Sequence, residues 1–227
     1  MKMKNKESIP SIDIQSFLTG DDKSRLQTGR LVDDICREVG FLKINNHDID
    51  QSIIDDMWKL TTDFFSLPDK TKSQFKPSDS NNPRGYFPMQ SETLTKSRGV
   101  ETPPDLKESF NGGPIKTPTK KINDNRAYEF CYQPTIWPEI EGFQEAWTEY
   151  YMEMEKLAAK VMSAFAEALK LEPTFFKNYM EFPISALRAL HYPKTTVVPQ
   201  EGQQRAGAHT DYGSLTILLP QPDTSGL

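Results

Sequence analysis

Cysteine is scarce. Only Cys36 and Cys131 occur among 227 residues, with no C-x-x-C spacing, so both thiols are expected to be free and reduced. Cys36 falls on a helical apolar stripe and is expected in the core. Long apolar runs are missing too. No segment approaches the ~20 residues of a membrane helix, and Met1–Ser8 is charged where a secretory signal would be apolar. The expected compartment is the cytoplasm, with no membrane partner. Positive charge is in short supply: 27 Lys and Arg against 32 Asp and Glu leave a net charge of -5. That field repels a phosphate backbone, so nucleic acid is not an expected partner. The local basic runs, Lys2-Lys4-Lys6 and Lys116-Lys120-Lys121, read as a solvated terminus and a solvated loop. Histidine is limited to His47, His191 and His209.

What is present suits a folded domain. Aromatics make up 11% of the chain, more bulk than disordered chains carry. Hydrophobic residues are only 36%, which points to long polar loops.

Ile9-Pro10-Ser11-Ile12-Asp13-Ile14 alternates and predicts a short strand. Ser24 offers an N-cap for a helix with Leu31, Val32, Ile35 and Val39 on one face and Gly40 as its stop. Phe41-Leu42-Lys43-Ile44 predicts a second strand. Ile49, Ile53, Ile54, Met57, Trp58, Thr61, Phe64 and Phe65 recur at helical spacing up to Pro68, and Asp69 to Phe75 predicts one further turn.

Residues 76–137 look different. Eight prolines and four glycines interrupt them, and the expectation is a long functional loop whose aromatics pack in places. Pro138 is placed to open the longest helix, which carries Phe143, Trp147, Tyr150, Tyr151, Met154, Leu157, Val161, Phe165 and Leu169. A short helix over Pro173 to Tyr179 follows. Ala186 to Tyr192 and Ser214 to Leu219 then predict strands. Helices first and strands last define an α+β protein.

The segment with chemical content is Gly207-Ala208-His209-Thr210-Asp211-Tyr212-Gly213-Ser214-Leu215-Thr216. An imidazole and a carboxylate one residue apart at a strand mouth project to one side. With one more imidazole they would complete the facial triad that suits Fe(II) and leaves positions open for a co-substrate and O₂. His-x-Asp alone is weak, because an Asp capping a turn beside a His packed on a loop gives the same letters.

The whole run His209 to Leu219 resembles the Fe(II)/2-oxoglutarate oxygenase superfamily, in the branch of isopenicillin N synthase and the plant flavonoid and gibberellin oxygenases. Leu187-Arg188-Ala189-Leu190-His191-Tyr192-Pro193 is similar to the family strand that ends in Tyr-Pro. Gly40 to His47, Phe64-Phe65-Ser66-Leu67-Pro68 with Lys72, Pro83-Arg84-Gly85-Tyr86 and Lys107-Glu108-Ser109-Phe110 match further motifs in order.

The resemblance implies a double-stranded β-helix, a jelly roll of eight strands, preceded by a helix-rich N-terminal region. It implies three parts: an N-terminal region over 8–135, a long helix and connector over 136–184, and the first part of the jelly roll over 185–227. His209 and Asp211 would be iron ligands, and Tyr192 would contact 2-oxoglutarate. Arg84 and Tyr86 would approach a small-molecule substrate, with a solvent-facing Arg84 as the plainer alternative. Leu190 stands where many plant members have Asn. His47 would be structural, with Asp48 in a left-handed turn where relatives have Gly. His191 should face away from Tyr192. Fe(II), 2-oxoglutarate and O₂ are the implied cofactor and co-substrates, in a protein that is a monomer when complete. The family's second histidine and its Arg-x-Ser lie downstream of this pattern, so the chain is expected to be the front part of a longer oxygenase. The alternatives are a truncated, inactive binding protein and an iron oxidase that does not use 2-oxoglutarate.

Overall fold

The computed structural model describes residues 9–118, 125–194, 198–222 and 224. In chain order the elements are β1 (Ser11–Asp13), α1 (Ile14–Thr19), α2 (Asp22–Glu38), β2 (Lys43–Asn45), α3 (Gln51–Ser66), α4 (Asp69–Lys72), β3 (Gly85–Phe87), β4 (Glu108–Gly112), α5 (Asn125–Cys131), α6 (Phe143–Ala168) and β5 (Leu187–His191). They form two compact units, Met1–Gln51 with Met152–Glu181, and Ser52–Tyr151 with Phe182–Leu227.

In the first unit β1 and β2 pair in parallel, Ile12 opposite Ile44. Asp13 turns β1 straight into α1, because its carboxylate accepts the amides of Gln15 and Ser16 at 2.9 and 3.2 Å. Asn46 donates to its other oxygen at 2.9 Å, and this bond leads those that hold the Asp13 carboxyl below its usual range. The cap of α2 is Asp21 instead of the expected Ser24. Its carboxylate accepts both the amide and the hydroxyl of Ser24, so Ser24 is the capped partner inside the first turn. Val39 and Gly40 both donate their amides to the Ile35 carbonyl, with Gly40 at φ +79°. This is the left-handed exit expected of a glycine stop.

Ile12, Ile14, Phe17, Val32, Ile35 and Ala164 form the core of this unit. The predicted apolar stripe of α2 is narrower than expected. Val32 and Ile35 are buried, whereas Leu31 and Val39 are exposed and Cys36 lies at the surface. Gly29 explains how closely α2 meets α6: a Cβ there would sit 2.6 Å from Glu167 Cγ.

The second unit is built on aromatics. Phe64 of α3 has Phe65, Phe75, Tyr86, Phe110 and Phe143 around it, with ring centroids 5.2–6.3 Å apart. Trp147 stacks on Phe143 and meets Phe110 edge-on. Each edge-to-face pair adds ~0.5–1.5 kcal/mol beyond area burial. β3, β4 and β5 form an antiparallel sheet in that order, with Tyr86 opposite Phe110 and Phe110 opposite Ala189.

The expectation of a long loop over 76–137 is corrected here. That stretch holds β3, β4 and α5, and Asp105–Gly113 is buried throughout. Pro138 does not open the longest helix, which begins only at Phe143. The segment Pro173 to Tyr179 gives turns and a 3-10 helix at Lys177–Met180 instead of an α-helix. Ser214–Leu219 is no strand: among the described residues it has no ladder partner, and a strand exists only through pairing.

Candidate functional site

Strand period sorts the side chains of the three-stranded sheet onto two faces. On one face Tyr86, Glu108 and Phe110 are buried against the aromatic core, with His191 at its partly exposed edge. Glu108 is 3% exposed. It accepts from Lys72 Nζ at 2.7 Å and from the Tyr86 hydroxyl at 2.5 Å, and its other oxygen lies 2.7 Å from His191 Nδ1. Burial alone would raise the Glu108 carboxyl. The bonds from His191, Lys72 and Tyr86 outweigh it and hold the group down at about 2. Burial and the neighbouring carboxylate push the Tyr86 phenol far up, so it stays a proton donor.

Tyr86 and Arg84, expected to approach a substrate, are both buried, which rules out the solvent-facing alternative for Arg84. Tyr86 is 1% exposed and Arg84 is 5% exposed. Arg84 donates to the carbonyls of Cys131 at 2.8 Å and Gly112 at 3.4 Å. Both residues are therefore internal braces. The reason is the sheet: residues read as a surface loop lead into β3, and strand pairing turns them inward.

The opposite face is polar and half-open. Arg188 places one nitrogen 2.7 Å from each oxygen of Glu92, and its Nε donates to Asn111 at 3.0 Å. Lys107 donates to the same Glu92 at 2.5 Å. Burial would raise Glu92, but Arg188 and Lys107 prevail and hold it below the usual carboxylate range. Tyr192 lies just past β5 on this side. Burial raises its phenol, Arg188 opposes that, and Asp105 and Glu92 add to it. A neutral Tyr192 is a hydrogen-bond donor at neutral pH.

His209 and Asp211 come together. The Gly207 carbonyl lies 2.8 Å from His209 Nδ1. A carbonyl only accepts, so Nδ1 carries the hydrogen, and in the neutral ring Nε2 carries the lone pair. Nε2 lies 3.2 Å from Asp211 Oδ1, while Thr216 donates to Asp211 Oδ2 at 2.7 Å. Two donors each ~2.1 Å from one ion and at right angles lie ~3.0 Å apart. The observed separation fits a shared divalent cation, with each ligand held by a hydrogen bond behind it. Among the described residues no third His, Cys, Asp or Glu joins them.

His191 points away from Tyr192, onto Glu108 and the Phe65 ring. His47 accepts the Ile49 amide at 3.2 Å, and Asp48 sits at φ +57°. Glu92 and Asp105 were not visible as site residues in the sequence. Both lie in the stretch that reads as loop.

His209 and Asp211 thus present an imidazole nitrogen and a carboxylate oxygen 3.2 Å apart, both partly open to solvent. Comparison with known proteins specifies the family. Residues 9–140 match the family model described as non-haem dioxygenase in morphine synthesis N-terminal. Validamycin A dioxygenase of Streptomyces hygroscopicus subsp. limoneus is 30% identical over 226 residues, covering 97% of this chain and 60% of its own length. Clavatol oxidase claD of Penicillium crustosum is 31% identical, with 96% of this chain and 68% of the relative covered. The crystal structure of a full-length Neurospora crassa protein in complex with alpha-KG superposes with a TM-score of 0.70 at 28% identity, over 92% of this chain and 63% of that one. The chain belongs to the non-haem Fe(II)/2-oxoglutarate-dependent dioxygenase family. It spans about three fifths of the length of several of the relatives it matches.

Proposed function

We propose that this chain carries the N-terminal region and the first part of the jelly roll of an Fe(II)- and 2-oxoglutarate-dependent oxygenase. The reaction is hydroxylation or desaturation of a small organic molecule, coupled to decarboxylation of 2-oxoglutarate to succinate. The observation that carries the reading is the convergence of His209 Nε2 and Asp211 Oδ1 at 3.2 Å. The bound metal with its co-substrate and O₂ supplies the oxidising chemistry. The residues of this chain bind and orient. Gly207 fixes the imidazole so that Nε2 is free, and Thr216 occupies the Asp211 oxygen that faces away. Tyr192 offers its hydroxyl to the co-substrate. Arg84 and Tyr86 enter as buried braces of the sheet. The net charge of -5 supports a small-molecule partner over nucleic acid. No helix among the described residues is long and apolar enough to cross a membrane, and we take the protein to act as a cytoplasmic monomer.

The test is anaerobic titration of the full-length protein with Fe(II) and 2-oxoglutarate, followed by O₂. A visible charge-transfer band and succinate release are expected. A band dependent on iron without succinate would favour an iron oxidase of the same fold. No spectral change and no succinate would overturn the reading.

A further inference from the structure

Asp105 holds neither the metal nor the co-substrate in the reading above, yet it is 1% exposed. A carboxylate taken out of water needs strong donors. Among the described residues both of its donors are backbone amides. Oδ2 accepts the Leu94 N–H at 3.0 Å, and Oδ1 accepts the Gly207 N–H at 3.1 Å, a buried bond between residues 102 apart in sequence. Two more bonds flank this one. The Leu106 amide donates to the Gln204 carbonyl at 2.9 Å, and Gln203 Nε2 donates to the Pro104 carbonyl at 2.8 Å. Residues 203–207 are thereby fastened along residues 104–106.

Gly207 is the tight point. A Cβ there would lie 2.5 Å from Thr95 Cγ2 and 3.4 Å from Asp105 Oδ1. The missing side chain lets the amide reach the carboxylate. The carbonyl of the same residue then takes the hydrogen of His209 Nδ1 at 2.8 Å. One residue thus links a buried anion on its N–H to an imidazole on its C=O.

We propose that Asp105 is a positioning residue for metal binding. Through Gly207 it fixes the carbonyl that orients His209, sets its tautomer and aims Nε2 toward Asp211. This rests on the reading of His209 and Asp211 as metal ligands. Asp105 contributes no bond to the metal. It acts from the N-terminal part of the chain, so that part serves the site as well as the fold.

The experiment uses Mn(II) as the probe, its free ion counted by electron paramagnetic resonance, on the full-length protein and its Asp105→Asn and Asp211→Ala variants. Asn keeps the shape of Asp and one acceptor oxygen, but its amide nitrogen faces an N–H where the carboxylate had an oxygen. Backbone amide exchange is followed at Gly207 and, as a control for the fold, at Phe110 in β4. Asp105→Asn is expected to raise the Mn(II) Kd by ~10-fold, the usual scale for a residue behind a metal ligand. Exchange at Gly207 should quicken while Phe110 stays protected. An unchanged Kd in Asp105→Asn, with Asp211→Ala strongly weakened, would overturn the positioning role and leave the metal site standing. An unchanged Kd in Asp211→Ala would instead sink the metal reading and this proposal with it. Should Asp105→Asn fail to fold, the unsubstituted, metal-free protein decides. The ¹⁵N shifts of His209 must then show hydrogen on Nδ1, with a slowly exchanging Gly207 amide. Hydrogen on Nε2, or a fast Gly207 amide, contradicts the proposal.

Discussion

Replacing Glu108 by Gln removes one negative charge from the centre of the second unit and leaves the shape intact. In the parent protein that charge holds Lys72, whose side chain is 4% exposed, together with Tyr86 and His191. Removing one partner of a buried pair typically costs ~3–5 kcal/mol, because the other charge is left behind. Lys72 keeps two further acceptors, Asp69 at 3.1 Å and the Phe65 carbonyl at 3.3 Å, so the lower end, ~3 kcal/mol, is expected. The pH dependence gives an independent figure. The Glu108 carboxyl moves from 4.5 to about 2 on folding; at ~1.36 kcal/mol per unit this is on the order of 3 kcal/mol. A depressed carboxyl means that the unfolded chain binds more protons in this interval. The stabilisation is therefore full above pH 4.5 and drains away as the pH falls toward about 2. Urea unfolding followed by tryptophan fluorescence reads this directly, since Trp147 is fully buried in the same unit. The gap in unfolding free energy between parent and Glu108→Gln should be ~3 kcal/mol at neutral pH and should shrink through the acid interval. Taking the difference cancels Glu92, whose carboxyl is also depressed. A gap that stays constant down to pH ~2 would refute the assignment of the charge to Glu108.

Two further outcomes are expected. Ile35→Ala, at a fully buried position in the core of the first unit, should lower stability by ~2–5 kcal/mol, seen as an earlier urea midpoint by circular dichroism. Tyr192→Phe should weaken 2-oxoglutarate binding by ~1 kcal/mol, the usual size of one neutral hydrogen bond, while Fe(II) affinity measured by anaerobic titration stays at the parent level.

The sequence discloses amphipathic elements well and the polar sheet poorly. Ile54, Met57, Thr61 and Phe64 recur at three and four residues, and all four are buried on α3, because a helix shows its own apolar face in its own spacing. Gly40 and Asp48 are legible for a similar reason: their left-handed backbones are local. β4 is not legible. Its residues Glu108, Ser109 and Asn111 are polar yet buried, so the period-two hydropathy that marks a strand never forms. What allows their burial lies far off in sequence. Lys72 is 36 residues from Glu108, and His191 is 83. The candidate site divides along the same line. His209 and Asp211 sit one residue apart and can be read together. Asp105, 102 residues from Gly207, becomes visible only once the chain is folded.

The proposed function depends on the His209 imidazole and the Asp211 carboxylate gripping one ferrous ion. The direct measurement is the anaerobic Fe(II) Kd of the full-length protein with and without Asp211→Ala. Loss of a ligand should cost at least the upper end of what a supporting residue costs, ~100-fold. An Asp211→Ala protein that binds Fe(II) as tightly as the parent would contradict that grip.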